Sequence, residues 1–174
     1  MQYVIDTCLL LLLAVVLFQD LKQRQISWFL IPLLLVSFVA QGLFRIPANE
    51  LMRYTMFNIG FIVVQLFVLT AYISVKNKKL VNIINSYLGI GDVLFIATVA
   101  AAFSPLNFIV FYIAALLFTL LVFLVVKLLT KKLSKEIPLA GAMAAVMIAL
   151  ILVNKWMPGF NFYKDDFLTA WFIK

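Results

Sequence analysis

Long apolar runs alternate with short polar breaks along the whole chain. Six runs stand out, at 3–18, 28–44, 55–75, 88–103, 106–129 and 137–153. A helix needs roughly 20 apolar residues to cross a hydrocarbon core of about 30 Å. The runs meet or approach that length. The first, fourth and sixth are short, so some of their ends are expected at the membrane interface. Ser104-Pro105 separates the fourth and fifth as a tight turn. The pattern predicts an all-α polytopic membrane protein with six transmembrane helices in residues 1–153. A tail at 154–174 follows, too short and polar to span. It carries Trp156, Pro158-Gly159, Phe160, Phe162, Tyr163 and Trp171. Trp and Tyr favour the headgroup level, so an interfacial amphipathic segment is expected there. The first run is not expected to be a signal peptide. Asp6 stands where a basic region is needed, and no small-x-small cleavage site follows.

Composition narrows the class. The chain of 174 residues is 66% hydrophobic and only 12% charged, with a mean hydropathy of +1.15. A soluble domain carries about twice that charged share. The length leaves no room for a second folded domain beside six helices. Cys8 is the single cysteine, which excludes an intrachain disulfide and a zinc site built from cysteine pairs. Histidine is absent. That removes Ser-His proteases, His-Glu-x-x-His zinc proteases and the ordinary haem ligands. Paired carboxylates are what remains among common hydrolytic chemistries, and no cofactor or metal is expected. The net charge is +7. The basic residues fall mostly in short loops between apolar runs, so anionic lipids are the expected partner and nucleic acid is not.

Orientation follows from the same residues. Lys22, Arg24, Lys76, Lys78, Lys79, Lys127, Lys131, Lys132 and Lys135 fall on one side, nine in all. Arg45, Arg53, Lys155, Lys164 and Lys174 fall on the other, five in all. The nine-side is expected to be cytoplasmic, with both termini outside. The location implied is a cytoplasmic membrane, crossed several times.

Two of the seven acidic residues, Asp20 and Asp92, sit at the ends of apolar runs. A carboxylate is costly there and marks a candidate functional site. The alternation of runs puts both at the cytoplasmic face, although they lie 72 positions apart. Two carboxylates in contact share one proton and titrate as a pair. One, ionised, serves as general base on a water. The other, protonated, hydrogen-bonds the substrate carbonyl. Asp92 closes the sequence Gly89-Ile90-Gly91-Asp92. Gly89 and Gly91 are expected to let a substrate chain approach in extended form. Taken alone, Gly-x-Gly-Asp is a weak signal, and an ordinary helix cap is the plainer reading.

The context carries more. Asp20-Leu-Lys-Gln-Arg-Gln-Ile26 follows one apolar run, Gly89-Ile-Gly-Asp92 opens a later one, and Lys135-Glu-Ile-Pro138 opens the last. Together these resemble the prepilin peptidase family, the aspartyl proteases that include archaeal preflagellin peptidases. The resemblance covers roughly residues 10–150. It implies that Asp20 and Asp92 are the catalytic pair. It implies pilin-like, membrane-anchored precursors as substrates, cut at the cytoplasmic face between a short basic leader and a hydrophobic helix, commonly after Gly. It also implies a prokaryotic inner membrane. Ser27 stands where the family usually has Pro, and Leu94 where a Lys often follows the second Asp. These departures bear on substrate choice more than on chemistry. The cysteine-paired cytoplasmic domain of bifunctional members is missing, so peptidase activity is expected without N-methyltransferase activity. Glu136 is a candidate leader contact, with a local ion pair to a neighbouring Lys as the plainer reading.

Two other functions stay open: a peptidase-like scaffold without turnover, and a small proton- or cation-coupled transporter. The remaining features read as structure. Gly141, Ala145 and Ala149 form a small-residue stripe for helix packing, and Asn58 and Gln65 are expected to make interhelical hydrogen bonds. Lys22 and Arg24 are read as orientation determinants, with electrostatic tuning of Asp20 as a second role. Asp6, Asp165 and Asp166 belong to the outer side.

Overall fold

Each apolar run becomes a helix, but the helices fall into two length classes. A computed structural model of the chain describes residues 2–80, 83–86, 88–130, 139–156 and 161–165. In order, the helices are α1 (Gln2–Gln23), α2 (Leu30–Leu43), α3 (Ala48–Asn77), the single turn α4 (Ile83–Ser86), α5 (Ile90–Val99), α6 (Pro105–Thr130) and α7 (Leu139–Trp156). A 3-10 turn, Ala100–Ala102, extends α5. No strand occurs among the described residues. Among the described residues, three helices are long and apolar enough to cross a membrane, over Val4–Gln23, Ala48–Asn77 and Pro105–Leu128. Leu30–Leu43, Ile90–Ala102 and Leu139–Lys155 are shorter apolar helices. At 1.5 Å per residue, α2 is roughly 21 Å long, less than a hydrocarbon core.

Local chemistry sets the ends. α1 runs past the apolar stretch through Asp20 to Gln23, so Asp20 lies inside the helix and not beyond it. It stops at Arg24, which takes the left-handed conformation (φ 53°). The Arg24 N–H donates to the Asp20 carbonyl at 3.0 Å. α3 starts seven residues before the apolar run. Its first turn holds Glu50, an acid that the helix N-terminus favours. It closes at left-handed Lys78. There the Lys79 and Lys78 N–H groups donate to the Ser74 and Val75 carbonyls, a Schellman end. α6 opens with Pro105, whose missing N–H costs nothing at a first helical position.

The helices alternate in direction, so the bundle has two ends. α1 packs along α7, and α2 packs on α5 and its 3-10 turn. The core runs through Leu9, Leu13 and Val16 of α1, Leu34 and Phe38 of α2, and Phe95 and Val99 of α5. On α7 the buried face runs through Ala140, Ala144, Met147 and Ile151. The expected stripe of Gly141, Ala145 and Ala149 is therefore not the packing face, because Ala149 is exposed. Apolar side chains also cover the outside of the long helices, such as Leu11, Phe67 and Leu121. Exposure on that scale marks a surface that something other than water covers.

The end away from Asp20 is tied together largely by amide donors. Asn58 is fully buried, and its amide donates to the Ala100 and Phe103 carbonyls at 2.9 and 3.0 Å. This bears out the interhelical role expected for it, whereas Gln65 is exposed. The segment 161–165 seats on the turn between α5 and α6. The Ser104 N–H donates to the Phe162 carbonyl at 2.8 Å, and the Asn107 amide reaches the carbonyls of Asn161, Phe162 and Lys164. Phe162 and Tyr163 are buried by protein. In these five residues the tail is a plug, which differs from the expected interfacial segment. The aromatic rings find an apolar pocket in the bundle end, and backbone carbonyls find donors there. Asp6 and Asp165 belong to this end, bonded by the Gln41 amide at 2.6 Å and the Ser104 hydroxyl at 2.5 Å.

Candidate functional site

The two aspartates converge on the start of α7. Asp20 is brought there by the tight packing of α1 on α7, and is only 4% exposed. Asp92 is brought there by α5, in whose first turn it lies. The Gly141 N–H donates to Asp20 Oδ2, and the Ala140 N–H donates to Asp92 Oδ1 at 3.0 Å. Consecutive backbone amides thus hold carboxylates that are 72 positions apart in sequence. Amides in the first turn of a helix have no intrahelical partner, and the helix dipole favours negative charge at that point. The two carboxylates also act on one another electrostatically. A helix N-terminus facing two acids is a place where one negative charge is well held and a second is opposed by the first.

Three glycines surround the pair, and they differ. A Cβ on Gly141 would stand 2.9 Å from Asp20 Oδ2 and 3.1 Å from Asp20 Cβ. No side chain fits while the Gly141–Asp20 bond is made. A Cβ on Gly89 would stand 3.2 Å from Asp92 Oδ2. The Asp92 carboxylate thus turns back over the first turn of α5 toward Gly89. A Cβ on Gly91 would meet Ile26 at 3.6 Å, an ordinary contact. Close approach to the dyad thus requires Gly141 most and Gly91 least. Reading the sequence put Gly89 and Gly91 at the site and assigned Gly141 to packing. The signal for Gly141 was there in the form of a question: which buried donors would receive two carboxylates?

The other expected residues fall around this centre. Arg24 is the cation that acts on Asp20, while Lys22 lies over the Phe18 ring at 5.4 Å. The Ser27 N–H donates to Gln19 Oε1 at 3.0 Å, a bond that proline could not make. The departure at Ser27 is therefore used to tie the α1–α2 loop back onto α1. Leu94 is 47% exposed and two residues on from Asp92, so it faces away from the dyad. Lys135, Glu136, Ile137 and Pro138 lie outside the described residues. Among the described residues no group of three or more Cys, Asp or Glu side chains could hold a metal ion.

No protein-family model, curated protein or solved structure matches the chain. The function is therefore argued from the site itself.

Proposed function

We propose that this protein is a membrane aspartyl endopeptidase. The observation that carries the reading is the meeting of Asp20 and Asp92 on consecutive amides of α7. In the reaction, the ionised carboxylate takes a proton from water as the water oxygen adds to the peptide carbonyl. The protonated partner hydrogen-bonds the carbonyl oxygen and stabilises its developing charge. Collapse of the tetrahedral intermediate breaks the C–N bond, and the departing nitrogen takes up a proton from the pair. The pair returns to its shared-proton state.

All six apolar helices enter or cross the membrane in this reading, with the dyad end cytoplasmic. Exposed Lys22, Arg24, Lys76, Lys78, Lys79 and Lys127 stand at that end of the described bundle. Arg45, Arg53, Lys155 and Lys164 stand at the other. The excess supports the orientation. Substrates are membrane-anchored precursors of the pilin-like kind, cut between a short leader and a hydrophobic helix. This rests on the motifs around Asp20, Asp92 and Lys135-Glu-Ile-Pro138.

A second reading has its own observation. Both carboxylates cap α7, a job that needs no turnover, so the same geometry serves a non-catalytic scaffold. Asparagine separates the two, because its side-chain carbonyl can accept the same N–H bond but cannot exchange the proton. Wild type, Asp20→Asn and Asp92→Asn would each be co-expressed with a tagged pilin-like precursor from the same genome, and leader loss followed by mass spectrometry. Processing by wild type alone is expected. Processing by either variant sinks the dyad, and no processing by a well-inserted wild type moves the scaffold ahead.

A further inference from the structure

The uncharged surface of the bundle is not equally tall all the way round. α1 and α2 pack side by side, as do α3 and α6. On α3 no charge occurs between Arg53 and Lys76, and on α6 none before Lys127. Each of these stretches is roughly 33 Å of helix. On α1 the exposed face is uncharged only between Asp6 and Lys22, roughly 22 Å, and α2 as a whole is roughly 21 Å. The difference falls at the dyad end. Asn58 is level with Ala100, to which it is bonded. From there roughly 12 Å of helix leads up α5 to Asp92, and the same rise on α3 reaches Leu66 and Phe67. Above that height α3 continues for roughly 13 Å before Lys76. On α1, Asp20 stands at the dyad, and Lys22 follows it within roughly 3 Å. At the far end the two flanks are flush. Asp6 lies roughly 21 Å down α1 from Asp20, and Met52 roughly 21 Å down α3 from Leu66.

We propose that the α1–α2 flank is a surface for a locally thinned bilayer, whose cytoplasmic headgroups come down to the dyad there and stand about 10 Å higher along α3 and α6. The inference rests on the membrane placement proposed above and not on turnover. Two observations fix the occupant as lipid headgroups at that height. Gln23, Arg24 and Gln25 form an exposed, non-helical corner after α1, and irregular backbone does not face lipid within the hydrocarbon region. A lysine can snorkel over several ångströms, but a corner of main chain cannot. Trp28 is 82% exposed at the same corner, beside the cations Lys22 and Arg24. An indole beside cations suits a headgroup layer, and the positive charge favours anionic lipid in it. A helix too short for the hydrocarbon core is accommodated by thinning, at a modest cost per ångström. The long α3 and α6 match a core of about 30 Å, so thinning is confined to one flank. Its consequence for the site is access. Water and a polar leader reach Asp20 and Asp92 sideways from the headgroup layer, without crossing hydrocarbon.

The test uses the full chain in vesicles of dioleoyl phosphatidylcholine and dioleoyl phosphatidylglycerol. Cys8 is the only cysteine, so single spin labels are placed in a Cys8→Ser background. Leu21→Cys and Phe67→Cys carry them at the dyad height, on exposed positions of α1 and α3. Val4→Cys and Met52→Cys do the same at the far end. Depth is read from collision with oxygen against collision with a water-soluble nickel chelate. The Leu21 label is expected at headgroup level and the Phe67 label about 10 Å deeper, with the Val4 and Met52 labels both near the surface. Equal depths for Leu21 and Phe67 mean a flat bilayer and overturn the proposal. A rigid tilt of the whole bundle produces the same difference at the dyad end but sinks the Val4 label by a similar amount, and that result overturns it too. A Leu121→Cys label, on the exposed face of α6, reports the placement itself. Free access of the chelate to it would show that the chain is not in the membrane. Cleavage of a precursor by wild type is scored separately, and its absence sinks the peptidase reading while the depth result stands.

Discussion

The two ends of the bundle solve the same problem with different chemistry. Each has backbone polar groups that the helices cannot satisfy themselves. At the far end the loose groups are carbonyls, and the side-chain amides of Asn58 and Asn107 and the backbone N–H of Ser104 donate to them. At the dyad end the loose groups are the first N–H groups of α7, and two carboxylates accept from them. An amide bonded to a carbonyl carries no titrating group, so the Asn58 and Asn107 joints hold over the working pH range. A carboxylate accepting from an amide can also take up a proton. Asn58 and Asp20 are both buried polar groups held by backbone partners, yet only one of them can do acid–base work.

The strongest way to break this comparison is at Asp92. Asp92→Asn keeps an acceptor for the Ala140 N–H, and Asp92→Ala does not. Both are expected to lose cleavage by about 10³-fold or more, the scale of general acid–base catalysis. Only the alanine variant is expected to lose stability, by about 1 kcal/mol, as a lost helix cap does. Mass spectrometry of the product and thermal unfolding in detergent read the two effects apart. Equal destabilisation by Asn and Ala would mean that the charge itself holds the fold.

Gly141→Ala is the next largest. A Cβ at 2.9 Å from Asp20 Oδ2 has to push the carboxylate off the Gly141 amide. A displacement near 1 Å at a reacting group costs about 10²-fold in rate. Alanine is meanwhile the better helix former, by about 1 kcal/mol. Lower kcat with unchanged or raised melting temperature is therefore expected. A parallel fall in both would return Gly141 to a packing role.

Asn58→Leu acts on the opposite end. It strands the Ala100 and Phe103 carbonyls away from water, at a cost of about 2–4 kcal/mol. The melting temperature is expected to fall, while cleavage per folded molecule stays within about twofold. A large loss of kcat at low temperature would show that the far end reaches the dyad through α5.

These variants also mark what could be read in the sequence. The helical class was legible, because an apolar run of helix length has few other solutions. So was the placing of Asp20 and Asp92 at one end of the bundle, because alternation of runs fixes parity. Helix ends were not, since hydropathy reports burial and not hydrogen bonding. The polar first turns of α3 and the continuation of α1 through Asp20 to Gln23 were invisible to it. The seating of Phe162 and Tyr163 was hidden for a related reason, as an aromatic residue suits a headgroup layer or a protein pocket equally well. Gly141 was missed because small residues at helical spacing have a sufficient packing explanation. Only three-dimensional proximity to Asp20, 121 positions away, revealed a second use.

The smallest effects sharpen the comparison most finely. Gly89→Ala and Gly91→Ala change two glycines of one motif, yet their surroundings differ. At position 89 the new methyl stands 3.2 Å from Asp92 Oδ2, tight enough that the carboxylate has to give by a few tenths of an ångström. At position 91 it rests on Ile26 at 3.6 Å with nothing displaced. A loss of several-fold in kcat is expected for the first and almost none for the second, measured with a short soluble peptide. With a full membrane-anchored precursor the order serves a different purpose. If Gly91→Ala then becomes the worse variant, the substrate chain itself passes over Gly91, and the glycine pair serves access to the dyad as well as its geometry.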